Sequence, residues 1–288
     1  MNGLMMKNVK TLALAATAVA AMSGNAYAAD RSDLHASDYK WMQFNLMYSI
    51  GEKPENPASG DQHNYLEMEF GGRSGIFDLY GYVDVFNLGN QYTNNGDKNP
   101  GSGKSKLFMK FAPRISMDAV FNKDLSFGPV QEVYFSTLFN WDGLVNDGDG
   151  TGVNSSFWGV GADVMVPWLG KTGMNLYAYY DLNNKEWNGY QFSMNWFKPF
   201  YFFDNKSFLS FQGYIDYQFG ADEDKTAFVP TTTNGGNVFF GLYWHSDRYA
   251  LGYGLKGFKD VYLLEDGAGA LALESTGWSH YLSATYKF

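Results

Sequence analysis

Two neighbouring stretches of the sequence carry carboxylates and tyrosines at alternate positions. In "YLEMEF" (65–70), Glu67 and Glu69 share one face of an extended chain, and in "LYGYVDVF" (79–86) so do Tyr80, Tyr82 and Asp84. Carboxylates accept hydrogen bonds from hydroxyl groups, and aromatic side chains stack on flat rings. These residue types therefore suit reversible binding of a polar aromatic solute.

A second set of polar side chains recurs at alternate positions further along the chain. Its candidate site residues are Lys110, Arg114, Glu132, Tyr134 and Asp216. The two cations would donate to carbonyl and ring-nitrogen atoms of a solute. Pro113 interrupts the extended stretch that contains Lys110 and Arg114, and a bulge there would reverse the direction in which Arg114 points. For each candidate a structural role is the alternative, because tyrosines also fill narrow barrels and charges pair across them.

The elements that position these residues are short strands. From residue 40 onward, stretches of about ten residues alternate in polarity, as in "WMQFNLMYS" (41–49) and "EVYFSTLF" (132–139). Aromatic residues make up 18% of the chain, and 33 residues are glycine, which also favours an all-β protein. The predicted strands centre near residues 45, 67, 81, 110, 134, 162, 177, 192, 214, 241, 254 and 283.

Long and short gaps separate these strands in turn. The long gaps, at 51–63, 88–105, 141–154, 220–236 and 260–275, are rich in Gly, Asn, Asp and Thr. The gap at 182–187 breaks the alternation, because it is short where a long gap is due. A soluble sandwich would bury the apolar faces, whereas a membrane barrel turns them to lipid. Strand length and aromatic residues at strand ends favour a transmembrane antiparallel up-and-down β-barrel of about 12 strands, with both termini periplasmic.

Strand parity fixes which other side chains would face the lumen of such a barrel. These are Asp78, Asp163, Asp181, Lys106, Lys256, Tyr65, Tyr177, Tyr179 and Tyr214. With the candidates above, acids outnumber bases. An acid-rich lumen is expected to repel phosphate groups.

The two ends of the chain agree with a barrel in the outer membrane. Residues 1–28 have a basic start (Lys7 and Lys10), a short apolar run and "AYA" (26–28), which predicts a cleaved signal peptide and one barrel domain at 29–288. The final "YLSATYKF" (281–288) alternates to its last residue. We expect this strand to pair with the first one, because an unpaired edge in lipid leaves backbone groups unsatisfied.

Several stretches of the chain resemble the Tsx family of nucleoside-specific channels and its OmpK branch. They are "NYLEMEFGGRSGIFDLYGYVDVF" (64–86), "FAPRISMD" (111–118), "KDLSFGPVQEVYF" (123–135), "EWNGYQFSMNWFKPF" (186–200) and "STGWSHYLSATYKF" (275–288). The resemblance implies a twelve-stranded outer-membrane barrel that passes nucleosides, with external loops that serve as phage attachment sites. The long loops do not match well. Nucleosides would meet several weak sites in series.

Other functions have less support from the sequence. The formal net charge of −9 disfavours a nucleic-acid polymer as partner. An enzyme is not expected, because none of the four histidines forms an obvious catalytic constellation with a Ser and an acid at the sequence level, and His63 is assigned to a loop. No cofactor or metal is expected, since "NDGDGTG" (146–152) lacks the distal Glu of an EF-hand loop. A non-selective porin and a non-conducting adhesive barrel stay open as alternatives, and we expect a monomer in the outer-membrane lipid.

Overall fold

The fold is seen in a computed structural model, which describes residues 33–57, 62–86, 88, 106–142 and 153–288. The predicted signal peptide and the acidic stretch 146–152 lie outside the described residues, as does most of the gap 88–105. Within the described residues, the strands are β1 (Tyr39–Ile50), β2 (Gln62–Ser74), β3 (Phe77–Phe86), β4 (Leu107–Phe111), β5 (Arg114–Ser116), β6 (Val130–Trp141), β7 (Asn154–Val166), β8 (Gly170–Asp181), β9 (Glu186–Phe202), β10 (Phe208–Phe219), β11 (Asn234–His245), β12 (Tyr249–Lys259) and β13 (Gly277–Lys287).

Each strand pairs antiparallel with its neighbours, and the sheet closes on itself. The last strand, β13, pairs with β1, with Leu282 opposite Tyr48 and Tyr286 opposite Phe44. Both β4 and β5 pair with β3 on one side and with β6 on the other. They therefore count as a single barrel strand, and the closed barrel has twelve strands, as predicted.

Pro113 lies in the break between β4 and β5, where the backbone is not part of either strand. The carbonyl oxygen of Pro113 accepts hydrogen bonds from the backbone N–H and the side-chain hydroxyl of Thr137. These two bonds keep the break between β4 and β5 attached to β6. Lys110 and Arg114 keep the same parity across it. The break therefore does not turn the Arg114 side chain outward, and its guanidinium contacts lumen carboxylates.

The two faces of the barrel differ as the alternation predicts. On β1 and β13, Leu46 and Leu282 are more than half exposed on the outer face, while Asn45 and Tyr281 are buried inside. Lipid covers the outer side chains of such a barrel. No helix among the described residues is long and apolar enough to cross a membrane.

Most of the longer connections join strand ends at one rim and most of the shorter ones at the other, with 182–185 and 117–129 as the exceptions. The long-loop rim carries the connections 51–61, 87–106, 142–153, 182–185, 220–233 and 260–276, and the short-turn rim carries 75–76, 117–129, 167–169, 203–207 and 246–248. The connection 117–129 contains a single helical turn, α1 (Met117–Val120). The fully buried Asp118 fixes this connection by accepting hydrogen bonds from the backbone N–H groups of Leu125 and Val133.

Candidate functional site

The lumen is the candidate site, and all ten predicted site residues face it. Their side chains contact residues of strands that lie across the interior or beside them on the inward face. The structure divides them into three groups: an acidic and aromatic wall on β2 and β3, one salt bridge across the middle, and an ionic network towards the short-turn rim. The three groups differ in how far their polar atoms are already satisfied.

The acidic wall is formed by Glu67 and Glu69, which β2 places beside the amide side chains of β1. Glu69 accepts hydrogen bonds from Gln43 Nε2 at 2.6 Å and from Tyr80 OH at 2.9 Å. Glu67 accepts one from Asn45 Nδ2, also at 2.6 Å. All of these donors are neutral. Within the described residues neither glutamate forms an ion pair, so no cation occupies these carboxylates.

Asp84 and Tyr82 continue this wall on β3. The antiparallel register sets Asp84 directly opposite Glu67, and Tyr82 directly opposite Glu69. Two carboxylates opposite each other on adjacent strands repel when both are ionised. A solute that donates hydroxyl groups, or one that carries positive charge, would relieve this repulsion.

Aromatic rings line two facing sides of the lumen at this level. The Tyr82 ring lies 6.3 Å from Tyr80 and 6.1 Å from Phe108, centroid to centroid. On the other side the Tyr214 ring stacks on Phe239 at 5.7 Å. Rings in these positions offer stacking surfaces beside the carboxylates of β2 and β3.

Two glycines of β12 make room for the rings of β11. A Cβ atom on Gly252 would lie 2.1 Å from the ring of Tyr243, and one on Gly254 would lie 2.3 Å from the ring of Phe239. Both rings therefore lie against bare backbone. Without these glycines the rings would have to move into the lumen.

A salt bridge between Lys110 and Asp216 crosses the lumen. Lys110 Nζ on β4 lies 3.2 Å from Asp216 Oδ2 on β10. Asp216 also accepts hydrogen bonds from Ser193 Oγ at 2.5 Å and from Gln191 Nε2 at 3.3 Å. Four strands, β6 to β9, separate β4 from β10 along the shorter way round the barrel. The bridge thus narrows the lumen and divides it into two parts.

Arg114 and Tyr134 belong to the ionic network. The guanidinium of Arg114 donates to Asp78 Oδ1 from Nε at 3.0 Å and lies 3.1 Å from Asp163 Oδ1. It also lies over the ring of Tyr134, 4.0 Å from its centroid. The Tyr134 hydroxyl donates to Asp163 Oδ2 at 3.0 Å. These partners leave Arg114 and Tyr134 little capacity to bind a solute.

Glu132, the remaining predicted residue of this network, pairs with Arg73. The two guanidinium nitrogens of Arg73 lie 2.8 and 2.7 Å from the two carboxylate oxygens of Glu132, and both side chains are buried. Lys171 adds a further pair with Asp163 at 2.8 Å. The arrangement favours the structural role for Arg114, Glu132 and Tyr134, in contrast to the acidic wall.

Arg73 and Lys171 belong to the ionic network but are not among the predicted lumen residues. Strand β2 continues to Ser74, and the inward parity of Glu67 and Glu69 reaches Arg73. The assignment of His63 to a loop was wrong, since His63 is the second residue of β2. Extending the alternation past the glycines at 71 and 72 would have found Arg73.

His63 does meet a serine and an acid in the fold. Its Nδ1 lies 2.9 Å from Ser49 Oγ, and its Nε2 lies 2.8 Å from Glu52 Oε2. The β1–β2 register sets Ser49 opposite His63, which no sequence spacing reveals. Ser49 is fully buried, so its hydroxyl cannot reach a substrate, and the trio holds the first long loop against the barrel mouth.

The first and last long loops are also tied to each other. Lys53 Nζ lies 2.8 Å from Glu55 Oε2 and 2.5 Å from Glu274 Oε2. Burial acts to lower the pKa of Lys53, but the hydrogen bonds that it donates to Glu274 and Glu55 outweigh burial and raise the pKa. Lys53 therefore stays charged and cross-links the two loops at the mouth.

Comparison with known proteins agrees with this architecture. Residues 36–288 match the family model described as "Nucleoside-specific channel-forming protein, Tsx". The chain is 58% identical over 277 residues to the outer membrane protein OmpK of Vibrio parahaemolyticus, covering 96% of this chain and 98% of that protein. It is 32% identical to the nucleoside-specific channel-forming protein Tsx of Klebsiella aerogenes, covering 97% and 99% of the two chains. The chain is therefore an outer-membrane protein that belongs to the Tsx family of nucleoside-specific channel-forming proteins.

Proposed function

We propose that this protein is a channel through which nucleosides diffuse across the outer membrane, by way of weak binding sites in series. The observation that carries the proposal is the wall of Glu67 and Glu69, whose carboxylates have neutral donors and no cation among the described residues. Aromatic rings stand beside this wall. Ribose hydroxyls would donate to the carboxylates while the base stacks on the rings.

Membership of the family supports nucleosides as the solute, and the carboxylates of Glu67 and Glu69 support selection against nucleotides. A phosphate group that passes them would meet hydrogen-bond acceptors and no cation among the described residues. Nucleosides carry no phosphate group, and their hydroxyl groups can donate to these acceptors. The proposed sites in series are the rings and carboxylates of β2 and β3 and the space beside the Lys110–Asp216 bridge.

Solute uptake into vesicles tests this function. Proteoliposomes containing the protein should take up adenosine faster than glucose, although glucose is the smaller molecule, and should take up AMP more slowly than adenosine. Uptake rates that depend on solute size alone would contradict selectivity and indicate a non-selective porin. Absence of uptake of every solute would leave a non-conducting barrel.

We further propose that the long-loop rim faces the outside, that residues 1–28 are removed on export, and that both ends of the mature chain lie in the periplasm. A monomer is proposed because one barrel encloses the whole candidate path. Protease added to intact cells should then cut only at the long-loop rim, and light scattering of the protein in micelles should give the mass of one chain.

The external loops are proposed as a phage attachment surface. In support, loops 220–233 and 260–276 form a joined patch: Thr231 pairs with Leu264, and Lys225 Nζ lies 3.1 Å from Glu265 Oε2. Phe228 is two-thirds exposed there. Phage adsorption that depends on the protein should be lost in Phe228→Asp while adenosine uptake is kept. Adsorption unchanged by substitutions throughout both loops would contradict this role.

A further inference from the structure

Lys256 occupies an unusual place among the lumen cations. It lies on β12, and its ammonium nitrogen is over three aromatic rings: 4.8 Å from the centroid of Phe258, 5.6 Å from that of Tyr214 and 5.9 Å from that of Tyr281. The rings come from three strands of the same wall. Together, Tyr214, Phe258 and Tyr281 form what we call the aromatic cage.

The ammonium of Lys256 has no ion pair and no hydrogen bond within the part of the chain that the structure describes. The other lumen lysines differ: Lys110 pairs with Asp216, and Lys171 pairs with Asp163. Attraction of the cation to the faces of the rings is therefore the interaction that holds Lys256 in place. Such an interaction is weak enough to be broken by a competing ligand.

The cage is also part of the aromatic surface on which a base would stack. The Tyr214 ring stacks on Phe239, with an interplanar angle of 18°, and the Phe239 ring meets Tyr281 edge-on at 5.9 Å. Lys110 Nζ lies over the same Tyr214 ring at 5.7 Å. A base that stacks on Tyr214 must therefore take the place of an ammonium group.

We propose that Lys256 is a tethered competitor, a cation that fills the aromatic cage and has to be displaced by each passing solute. This inference rests on the proposed function for its solute. The competition lowers the affinity of the stacking site and shortens the stay of the solute, as flux through a channel requires. It also assigns the cage itself as a site for a small organic cation once the lysine is removed.

The cage is tested first without any nucleoside. In Lys256→Ala, tetramethylammonium should reduce the single-channel current in a saturable way, because it fits the vacated cage. The natural protein should show no saturable reduction. Lys259→Ala is the matched control, because it removes the same charge from an exposed position on the same strand, outside the cage. No saturable effect in Lys256→Ala, or an equal effect in Lys259→Ala, would overturn the assignment of the cage.

Adenosine then tests the competition. Lys256→Ala should bind adenosine roughly tenfold more tightly than the natural protein, with longer blocking events, since a cation–ring contact no longer has to be broken. Lys256→Arg should bind it more weakly, because guanidinium groups stack well on rings. Unchanged or weaker binding in Lys256→Ala would show that Lys256 is a direct contact and would overturn the proposal.

The two tests separate this inference from the proposed function. If the natural protein shows no response to adenosine while Lys256→Ala binds tetramethylammonium, the nucleoside function fails and the cage stands. If the natural protein responds to adenosine but Lys256→Ala binds neither ligand better, the competition fails and the nucleoside function stands. Migration of unboiled protein on gels checks that each variant forms a barrel.

Discussion

Lys110 Nζ lies 3.2 Å from Asp216 Oδ2, although β4 and β10 do not pair and four barrel strands separate them on the shorter side. Two side chains that meet in this way must cross the lumen. The pair is partly exposed to the lumen, since each side chain keeps nearly a fifth of its accessible surface. It therefore both narrows the path and stays within reach of a passing solute.

Removal of the lysine from this bridge should widen the path. In Lys110→Met, Asp216 keeps its hydrogen bonds from Ser193 and Gln191, so the barrel should still form. The lumen also loses a positive charge. We expect a higher single-channel conductance and a stronger preference for cations, measured from the reversal potential in a salt gradient. A lower conductance would show that Lys110 does not obstruct the path.

The buried pair of Arg73 and Glu132 should contribute strongly to stability. Arg73→Met leaves a buried carboxylate without its cation and should cost about 3–5 kcal/mol of unfolding free energy. Urea titration in micelles measures this loss. The double variant Arg73→Met, Glu132→Met should recover most of it, because both charges are then gone.

An exposed ion pair provides the control for that measurement. Lys225 pairs with Glu265 and Glu223 on the loop surface, and Lys225→Met should cost far less than Arg73→Met, because water screens an exposed ion pair. If Arg73→Met costs no more than Lys225→Met, the ionic network is not the structural element that its geometry indicates.

Gly254 should be needed for the shape of the lumen. In Gly254→Val the new side chain collides with the ring of Phe239, which must then move into the path. Overpacking of this kind costs about 1–3 kcal/mol. The current block by adenosine should also weaken. Ala284→Val, on the lipid face of β13, is the control, and an equal effect of both substitutions on the block would contradict this role of Gly254.

His35 should respond to pH through its contact with Asp38 at the short-turn rim. Its Nδ1 lies 2.8 Å from Asp38 Oδ2, and this hydrogen bond with the nearby charge raises the pKa of His35 and lowers that of Asp38. A raised histidine pKa stabilises the fold below the unfolded value of about 6.5, and the effect is lost as pH rises through the folded value. NMR titration should show the pKa of His35 falling in Asp38→Asn, and no change would contradict the contact.

Sequence alternation was enough to predict the twelve strands, the inward residues and the closure of β13 on β1. These features follow from the two-residue alternation of polarity along each strand, which can be read from a single sequence. The partners across the lumen do not follow from it. Lys110 meets Asp216, and Arg73 meets Glu132, only because closure of the barrel brings distant strands face to face.

The register between neighbouring strands also could not be predicted from the sequence. Ser49 and His63 are 14 residues apart, and their contact depends on the β1–β2 register, which in turn depends on the loop between them. The same dependence hides the distinction between the acidic wall and the ionic network. Sequence parity predicts the same inward direction for Glu69 and Glu132, whereas among the described residues Glu132 has a cation as partner and Glu69 does not.

The central claim, a nucleoside site on the wall of Glu69 and Tyr82, is tested most directly by single-channel current in a planar bilayer as adenosine is added. We predict a saturable decrease of the current that glucose does not cause. Tyr82→Ala, which loses a stacking surface worth about 1–3 kcal/mol, and Glu69→Gln should both weaken it. Tyr179→Ala, the same truncation in the part of the lumen where Tyr179 stacks on Phe157, should not. A current indifferent to adenosine, or equal losses in Tyr82→Ala and Tyr179→Ala, would contradict the claim.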